Sequence, residues 1–185
     1  MMMGSSRVLG VTGMPLSGKT TVARILERNG YTVVDMGDVV RKEMKNRGVP
    51  SENVAGFVNG QREDNGMDAI AELTIPYLKE AMARSDRIVI TGMRGWSEKQ
   101  RFEEFLDESF EVVAVWASRE TRKRRREERM RKEDIEGQEF HERDLREIDN
   151  GMAKLMALSD SIIVNDDKSL DELEKEVRKR FLGDR

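Results

Sequence analysis

The fold is decided by the stretch Gly13-Met14-Pro15-Leu16-Ser17-Gly18-Lys19-Thr20. It fits the pattern G-x-x-x-x-G-K-[ST], in which successive backbone N–H groups converge on phosphate oxygens. Gly18 lets the backbone approach the phosphates without an intervening side chain. Lys19 supplies a cation for the β- and γ-phosphates, and the Thr20 hydroxyl suits Mg²⁺. With Thr21, the next residue, these positions form a predicted nucleotide-binding loop.

The residues on either side of this loop predict a strand and a helix. Arg7 to Val11 is a short apolar run, as expected for a buried strand, and apolar residues recur at helical spacing from Val22 to Leu26. This is the context that the motif requires, because the positive N-terminal end of the helix adds to phosphate binding.

Four further apolar runs predict strands, at Tyr31–Val34, Arg87–Thr91, Glu111–Ala117 and Ser161–Val164. Helical patterns separate them, and the last of these is expected to run unbroken from Phe140 to Leu158. Strands that alternate with helices pair in parallel through right-handed crossovers. The sequence therefore predicts a three-layer α/β fold, with helices on both faces of a five-stranded parallel sheet.

The composition predicts one domain over residues 1–185 that needs no disulfides, since the length supports a core and cysteine is absent. The net charge of −3 argues against a protein that coats nucleic acid. No apolar run reaches the roughly 18 residues of a membrane helix, and residues 1–6 lack the apolar stretch of a secretory signal. We expect a cytoplasmic protein without membrane contact, either a monomer or a homodimer.

Two stretches between predicted strands are longer than a simple crossover connection needs. An interrupted helical stretch, about 37–84, links the second and third strands and is predicted to bind the acceptor of a phosphoryl group. An arginine-rich stretch, about 119–140, follows the fourth strand, and its arginines recur on one helix face. Arginines brought over a phosphoryl-transfer site neutralise transition-state charge, so we predict a lid. A solvated helix face and a nucleic-acid-binding helix are the alternatives.

Several segments together resemble the archaeal adenylate-kinase-related proteins, also described as dephospho-CoA-kinase-like, of the nucleoside monophosphate kinase superfamily. The segments are Gly10–Pro15, Met36–Arg41, Gly92–Arg94, Glu142–Glu147 and Ser159–Asp166. The resemblance covers nearly the whole chain. It implies the P-loop kinase fold with strand order 2-3-1-4-5, the use of ATP and Mg²⁺, and a small-molecule nucleotide as substrate.

The resemblance also implies acceptor-binding residues. Gly37, Asp38 and Arg41 match the family's Gly-Asp-x-x-Arg sequence, in which the arginine binds the acceptor's phosphate. Arg94 matches the arginine after the third strand, which contacts the acceptor or the transferring phosphate. Arg62, from the helical insert, is a further candidate. The alternatives are a surface arginine on a capped helix at 41 and a solvent-exposed turn arginine at 94.

Donor-side roles follow from the same resemblance. Arg125, Arg129 and Arg131 are expected to close over ATP as catalytic residues of the lid, with Arg122 at its base as a nucleotide-binding residue. Asn165 lies in a loop that passes near the adenine ring in this family and is expected to contact the base. A plain strand-to-helix turn is the alternative for this loop.

Two positions depart from the family pattern. Leu16 stands where such kinases often have glycine, so its side chain is expected to point away from the phosphates. Thr91 stands where an aspartate usually helps to order the water shell of Mg²⁺. Asp35 or Asp38 is expected to take over this task, with Thr20 as the direct ligand.

The sequence therefore predicts an ATP- and Mg²⁺-dependent phosphotransferase. The favoured acceptor is a nucleoside monophosphate such as AMP, because an anion needs only positioning and charge neutralisation. The rival acceptor, dephospho-CoA, presents a ribose hydroxyl that benefits from a general base. A different class is a P-loop ATPase that acts as a switch or ribosome-assembly factor and contacts RNA through the arginine-rich helix.

Overall fold

The computed structural model describes residues 7–107, 110–130 and 138–183. Its strands are β1 (Arg7–Thr12), β2 (Thr32–Asp35), β3 (Arg87–Thr91), β4 (Glu111–Trp116) and β5 (Ser161–Val164). They form a sheet with the order β2-β3-β1-β4-β5, in which every neighbouring pair is parallel. The predicted fold class and strand order are therefore confirmed.

Helices cover both faces of the sheet. Over the described ranges they are α1 (Lys19–Arg28), α2 (Met36–Asn46), α3 (Val54–Asn65), α4 (Ala69–Met82), α5 (Trp96–Leu106), α6 (Arg119–Met130), α7 (Gln138–Asp149), α8 (Met152–Ala157) and α9 (Leu170–Phe181). A short 3₁₀ turn, Ser51–Asn53, precedes α3. The prediction of one helix from Phe140 to Leu158 is wrong. Gly151 has φ 103°, a left-handed conformation that separates α7 from α8.

Two hydrophobic cores hold the layers together, because successive strand residues face opposite sides. On one side, Leu9 and Val11 of β1 are fully buried with residues of α1 and α9. On the other, Ile88 and Ile90 of β3 are buried with residues of α2, α4 and α5. Apolar strands without alternation thus serve a sheet that is covered on both faces.

The register brings three chain segments to one edge of the sheet. Thr91 at the end of β3 pairs with Val11 of β1 and with Asp35 of β2. The phosphate loop, the start of α2 and the loop after β3 therefore begin side by side. Ligands of parallel sheets bind at the carboxyl ends of the strands, so this is where the predicted site belongs.

The predicted insert, about 37–84, corresponds to α2, the 3₁₀ turn, α3 and α4. The predicted lid, about 119–140, begins with α6 and reaches the start of α7, and its residues 131–137 lie outside the described ranges. The assignment of these segments to acceptor and lid stays a prediction. No helix in the described part of the chain has the length and apolar character to cross a membrane.

Candidate functional site

The phosphate-binding motif forms a tight loop between β1 and α1. Gly13 and Gly18 have φ 151° and 102°. A Cβ at Gly13 would lie 2.4 Å from the Val115 carbonyl oxygen, and one at Gly18 would lie 2.2 Å from Asn165 Nδ2. Both positions therefore need glycine for space as well as for conformation. Gly18 is also the N-cap of α1 and has no side chain to bind the first-turn amides, which leaves them to an anion.

Leu16 takes the conformation that a glycine would have at this point of the loop. Its φ is 67°, which is uncommon for a residue with a side chain. Its carbonyl oxygen accepts a hydrogen bond of 3.0 Å from Arg125 Nη1. The surrounding structure thus holds the loop in this conformation despite the unfavourable φ.

A cavity of about 280 Å³ lies beside the loop. Its lining includes Gly18, Thr20 and Thr21 around the start of α1, and Arg125, Asn165 and Leu170 from later parts of the chain. Five of the predicted nucleotide-binding residues, from Leu16 to Thr21, therefore share one cavity with residues from distant parts of the sequence, among them the predicted Arg125 and Asn165.

Asn165 supports the loop from behind. It is buried, its Nδ2 donates to the Ser17 carbonyl oxygen at 2.8 Å, and its own carbonyl accepts from Arg125 Nη2 at 2.7 Å. The side-chain amide nitrogen fixes the loop backbone, because the turn after β5 passes directly against Ser17. A contact of Asn165 with the adenine base, through its backbone or its amide, stays a prediction.

Arg125 braces the loop from the side of α6. Its Nη1 donates to the carbonyl oxygens of Leu16 and Ser17, at 3.0 and 3.2 Å. Burial lowers the pKa of Arg125, and the neighbouring Arg124 lowers it further. Arg125 thus lines the cavity wall with its donors on backbone carbonyls, and its predicted place over a transferring phosphate stays a prediction.

Arg122 is a buried structural residue in this fold. Its Nη1 and Nη2 donate to the two carboxylate oxygens of Asp144, at 2.7 and 2.8 Å, and Nη1 also lies 3.4 Å from the Pro15 carbonyl oxygen. Its guanidinium lies 5.3 Å from the ring centre of Phe140. The predicted contact with nucleotide is replaced by a clamp that joins α6, α7 and the phosphate loop. The Arg129 side chain and the whole of Arg131 lie outside the described residues.

Charged side chains from three parts of the chain act electrostatically on Lys19. The pKa of Lys19 is lowered to about 8, chiefly by burial; the charges of Arg143 and Arg94 also lower it, whereas those of Glu147 and Asp35 raise it. Asp35 ends β2, Arg94 follows β3, and the other two belong to α7. This cluster, which we call the transfer centre, is the part of the site that carries both signs of charge.

The α7 residues of the transfer centre were missed as site residues. Glu147 is 6% exposed, and its Oε1 lies 3.4 Å from Arg94 Nη1. Arg143 and Glu147 belong to a segment that carried the family resemblance, and their spacing of four residues puts them on one helix face. That spacing was an available signal, but only the fold shows that the charges on this face act on Lys19.

Asp35 lies beside Thr91, the position that lacks the family's aspartate. Thr91 Oγ1 donates to Asp35 Oδ2 at 2.6 Å, and Asp35 Oδ1 caps α2 by accepting from the Asp38 amide at 2.8 Å. Asp35 and Asp38 are the two residues predicted to take over the task of the family's aspartate. Of these, Asp35 is the one that lies next to Thr91. The hydroxyl of Thr20 and this carboxylate are the oxygen donors that Mg²⁺ prefers, and it needs only one or two carboxylates beside phosphates.

Arg41, a predicted acceptor-binding residue, has a largely exposed side chain. It forms ion pairs with Asp38 and, at 3.8 Å, with Asp35. Gly37 leaves room for these groups, because a Cβ there would lie 3.0 Å from Asp35 Oδ1. The predicted acceptor residues Gly37, Asp38 and Arg41 are thus brought together.

Arg62 is not available at the acceptor side in this structure. Its Nη1 donates to Asn150 Oδ1 at 3.1 Å and its Nη2 to Glu98 Oε1 at 3.3 Å, and its side chain is 9% exposed. Burial raises the pKa of Glu98, which the hydrogen bonds to the Arg94 amide and Arg62 oppose. Arg62 is predicted to bind the acceptor, but the fold places the buried carboxylate of Glu98 against it.

Comparison with known proteins places the chain in a family. A family model described as an AAA domain matches residues 12–142. A UPF0200 protein of Pyrobaculum aerophilum is 42% identical over 95% of this chain and 97% of the relative. A UPF0200 protein of Pyrococcus furiosus is 38% identical over 93% of this chain and 94% of that relative.

Solved structures share the fold. TT1252 from Thermus thermophilus has a TM-score of 0.68 at 19% identity and covers 96% of this chain, with 97% of its own length matched. A shikimate kinase from Acinetobacter baumannii, in complex with shikimate, has a TM-score of 0.58 at 15% identity, with 96% and 93% covered. The sequence relatives and the fold together show that this chain belongs to the UPF0200 family and carries a P-loop domain of the AAA type with a kinase-like fold.

Proposed function

We propose that the chain is an ATP- and Mg²⁺-dependent phosphotransferase that acts on a nucleotide-like acceptor. The observation that carries this proposal is that Lys19 lines a cavity beside the phosphate loop and that the charges of Arg94 and Arg143 act on it there. Phosphoryl transfer depends on positioning and on neutralising charge on the moving group, and these residues can do both.

The donor half of the reaction uses the loop. The amides at the start of α1 bind the phosphates of ATP, and Lys19 neutralises charge between the β- and γ-phosphates. Thr20 and Asp35 are the residues that would hold Mg²⁺, which supplies further neutralisation when bound. The nucleoside part lies in the cavity toward Arg125 and Leu170.

Two classes of acceptor fit the acceptor half of the proposed reaction. A nucleoside monophosphate such as AMP is supported by Arg94 and Arg143, whose charges reach Lys19, and by Arg41 at the start of α2. A hydroxyl-bearing nucleotide such as dephospho-CoA is supported by the carboxylate of Glu147 at the same place. The first class needs positive charge and the second needs a proton acceptor.

The alternative of an RNA-contacting ATPase switch depends on free arginines along α6. Arg122 and Arg125 are bound to Asp144 and to the loop, and Arg124 lies 2.7 Å from Asp167. These contacts reduce the positive charge that α6 offers to a phosphate backbone. The observation therefore favours the phosphotransferase over the switch.

A screen with γ-labelled ATP tests the proposal. The arms are AMP, CMP, GMP, UMP, dephospho-CoA and no acceptor, each with the unsubstituted protein and Mg²⁺. Label that appears on an acceptor supports a phosphotransferase. Label that appears only as inorganic phosphate, at one rate in every arm, would contradict it and support the ATPase.

ATP affinity is expected to fall as the pH rises through about 8. Lys19 has a pKa of about 8 in the free protein, and phosphates bound beside it hold its proton more tightly. Affinity is therefore full below this pH and falls by up to about tenfold per pH unit above it, until the pKa of the complex is reached. Calorimetric titrations between pH 7 and pH 10 measure the effect.

Lys19→Arg is the control for this pH dependence, because a guanidinium keeps its charge over the whole range. Its ATP affinity is expected to stay level between pH 7 and pH 10. A level affinity in the unsubstituted protein as well would contradict the role of Lys19 as a titrating phosphate ligand.

A further inference from the structure

Glu147 presents a buried carboxylate oxygen that the protein leaves unpaired. Oε1 lies 3.4 Å from Arg94 Nη1, whereas no described residue makes a hydrogen bond to Oε2. The residue is 6% exposed, so bulk water does not supply the missing partner freely. Its partner Arg94 lies in the loop after β3, at the edge of the sheet where the phosphate loop begins, and the charge of Glu147 also acts on Lys19.

The missing partner of Oε2 has to be a hydrogen-bond donor. Buried polar groups in native proteins are nearly always paired, and an exception calls for a bound partner. A carboxylate only accepts hydrogen bonds, and the oxygens of ATP and of a dianionic monophosphate also only accept. Such a phosphate placed against Oε2 would be repelled by a like charge, whereas a hydroxyl group would complete the site.

We propose that Glu147 is the general base of the reaction and that the acceptor presents a hydroxyl group to the γ-phosphate; this rests on the proposed function. Oε2 accepts the proton of the hydroxyl while the hydroxyl oxygen forms its bond to the γ-phosphorus. The bond from that phosphorus to the β,γ-bridging oxygen breaks, and ADP leaves with the electron pair. Arg94 holds the carboxylate through Oε1, and Lys19 neutralises the charge on the phosphates.

Two other roles for Glu147 make different predictions. If the residue only anchors Arg94, a glutamine serves nearly as well, because its amide oxygen still accepts from the guanidinium. If it orients a water molecule bound to Mg²⁺, its loss raises the Mg²⁺ concentration needed and leaves the rate at saturating Mg²⁺ close to normal. If Glu147 is a general base, Glu147→Gln lowers the rate at every Mg²⁺ concentration, because an amide cannot accept the proton.

The test compares Glu147→Gln and Glu147→Asp with Glu142→Gln. Glu142 belongs to the same helix, has a side chain that is 58% exposed and lies 4.0 Å from Arg146. Single-turnover loss of labelled ATP is followed with water alone, with dephospho-CoA, with adenosine and with AMP, each over a Mg²⁺ titration. ATP affinity and melting temperature are measured for every variant.

Glu147→Gln is expected to slow transfer to water and to hydroxyl acceptors by about 10²- to 10⁴-fold, the usual contribution of a general base. Its ATP affinity and melting temperature stay near those of the unsubstituted protein, Glu147→Asp keeps part of the rate, and Glu142→Gln keeps all of it. A loss below about tenfold in Glu147→Gln, or recovery at high Mg²⁺, would overturn the assignment of the base.

Three further outcomes are decisive. Fast transfer to a monophosphate that is unaffected by Glu147→Gln would overturn the hydroxyl acceptor. If Glu147→Gln unfolds, Glu147→Asp takes its place in the test. The aspartate carboxylate is one methylene farther from the hydroxyl, so a folded Glu147→Asp with an unchanged rate would also overturn the assignment of the base. Absence of any Lys19-dependent ATP turnover in the unsubstituted protein would overturn the proposed function itself, and the inference with it.

Discussion

Lys19→Ala is expected to lower ATP turnover by about 10²- to 10³-fold, the loss found when one preorganised charge-stabilising donor is removed from an active site. Lys19 is the cation of the phosphate loop, and it lines the cavity beside that loop. Single-turnover measurements with labelled ATP report the change.

The fold is expected to survive this substitution, because the protonated amine is held in surroundings that disfavour its charge. Its melting temperature without ATP should therefore be equal to or above that of the unsubstituted protein. Lys154→Ala is the matched control, since Lys154 is an exposed lysine of α8. Turnover in Lys19→Ala equal to that of Lys154→Ala would contradict the proposed function.

Asp144→Ala is expected to lower the free energy of unfolding by about 3–5 kcal/mol, the range for breaking a buried ion pair by removing one partner. The substitution leaves the guanidinium of Arg122 buried without its two hydrogen-bond acceptors. It also releases one side of the clamp that reaches the Pro15 carbonyl. Urea unfolding followed by circular dichroism measures the change in free energy.

Asp149→Ala is the control for this prediction, because Asp149 is an exposed carboxylate of the same helix. Surface substitutions of this kind stay within about 0.5 kcal/mol. The double variant Arg122→Met/Asp144→Leu separates the pair's stability from its role as a tether. It is expected to recover stability, because apolar replacement of a buried pair is often neutral, yet to bind ATP less tightly. A loss under about 1 kcal/mol in Asp144→Ala would contradict the clamp.

The strands and the phosphate loop could be predicted because their signals are local. The loop needs glycine at 13 and 18 for close packing, and these glycines are visible as a motif. The apolar runs of β3 and β5 were predicted with their observed bounds, because buried parallel strands are apolar along their length. The strand order came from the family resemblance, since no local pattern specifies which strands are neighbours.

The roles of the arginines could not be predicted, because they depend on the carboxylates that the fold brings to them. Arg62 and Arg122 have sequence surroundings typical of exposed helices, yet each meets a buried acid, Glu98 and Asp144 respectively. Glu147 reaches the site from the far side of the predicted lid, more than a hundred residues after Lys19 in the chain. Spacing within one helix describes a face but does not reveal what that face contacts.

Leu16 has a consequence for the conformational entropy of the phosphate loop. A left-handed backbone costs a residue with a side chain about 1–2 kcal/mol. Glycine avoids that strain but loses more backbone freedom on folding, at a cost of about 0.5–1 kcal/mol. The second term offsets about half of the first, which leaves leucine a net cost of roughly 0.5–1 kcal/mol at this position. Since leucine samples fewer alternative conformations than glycine, the loop has less disorder to lose when it closes around phosphates.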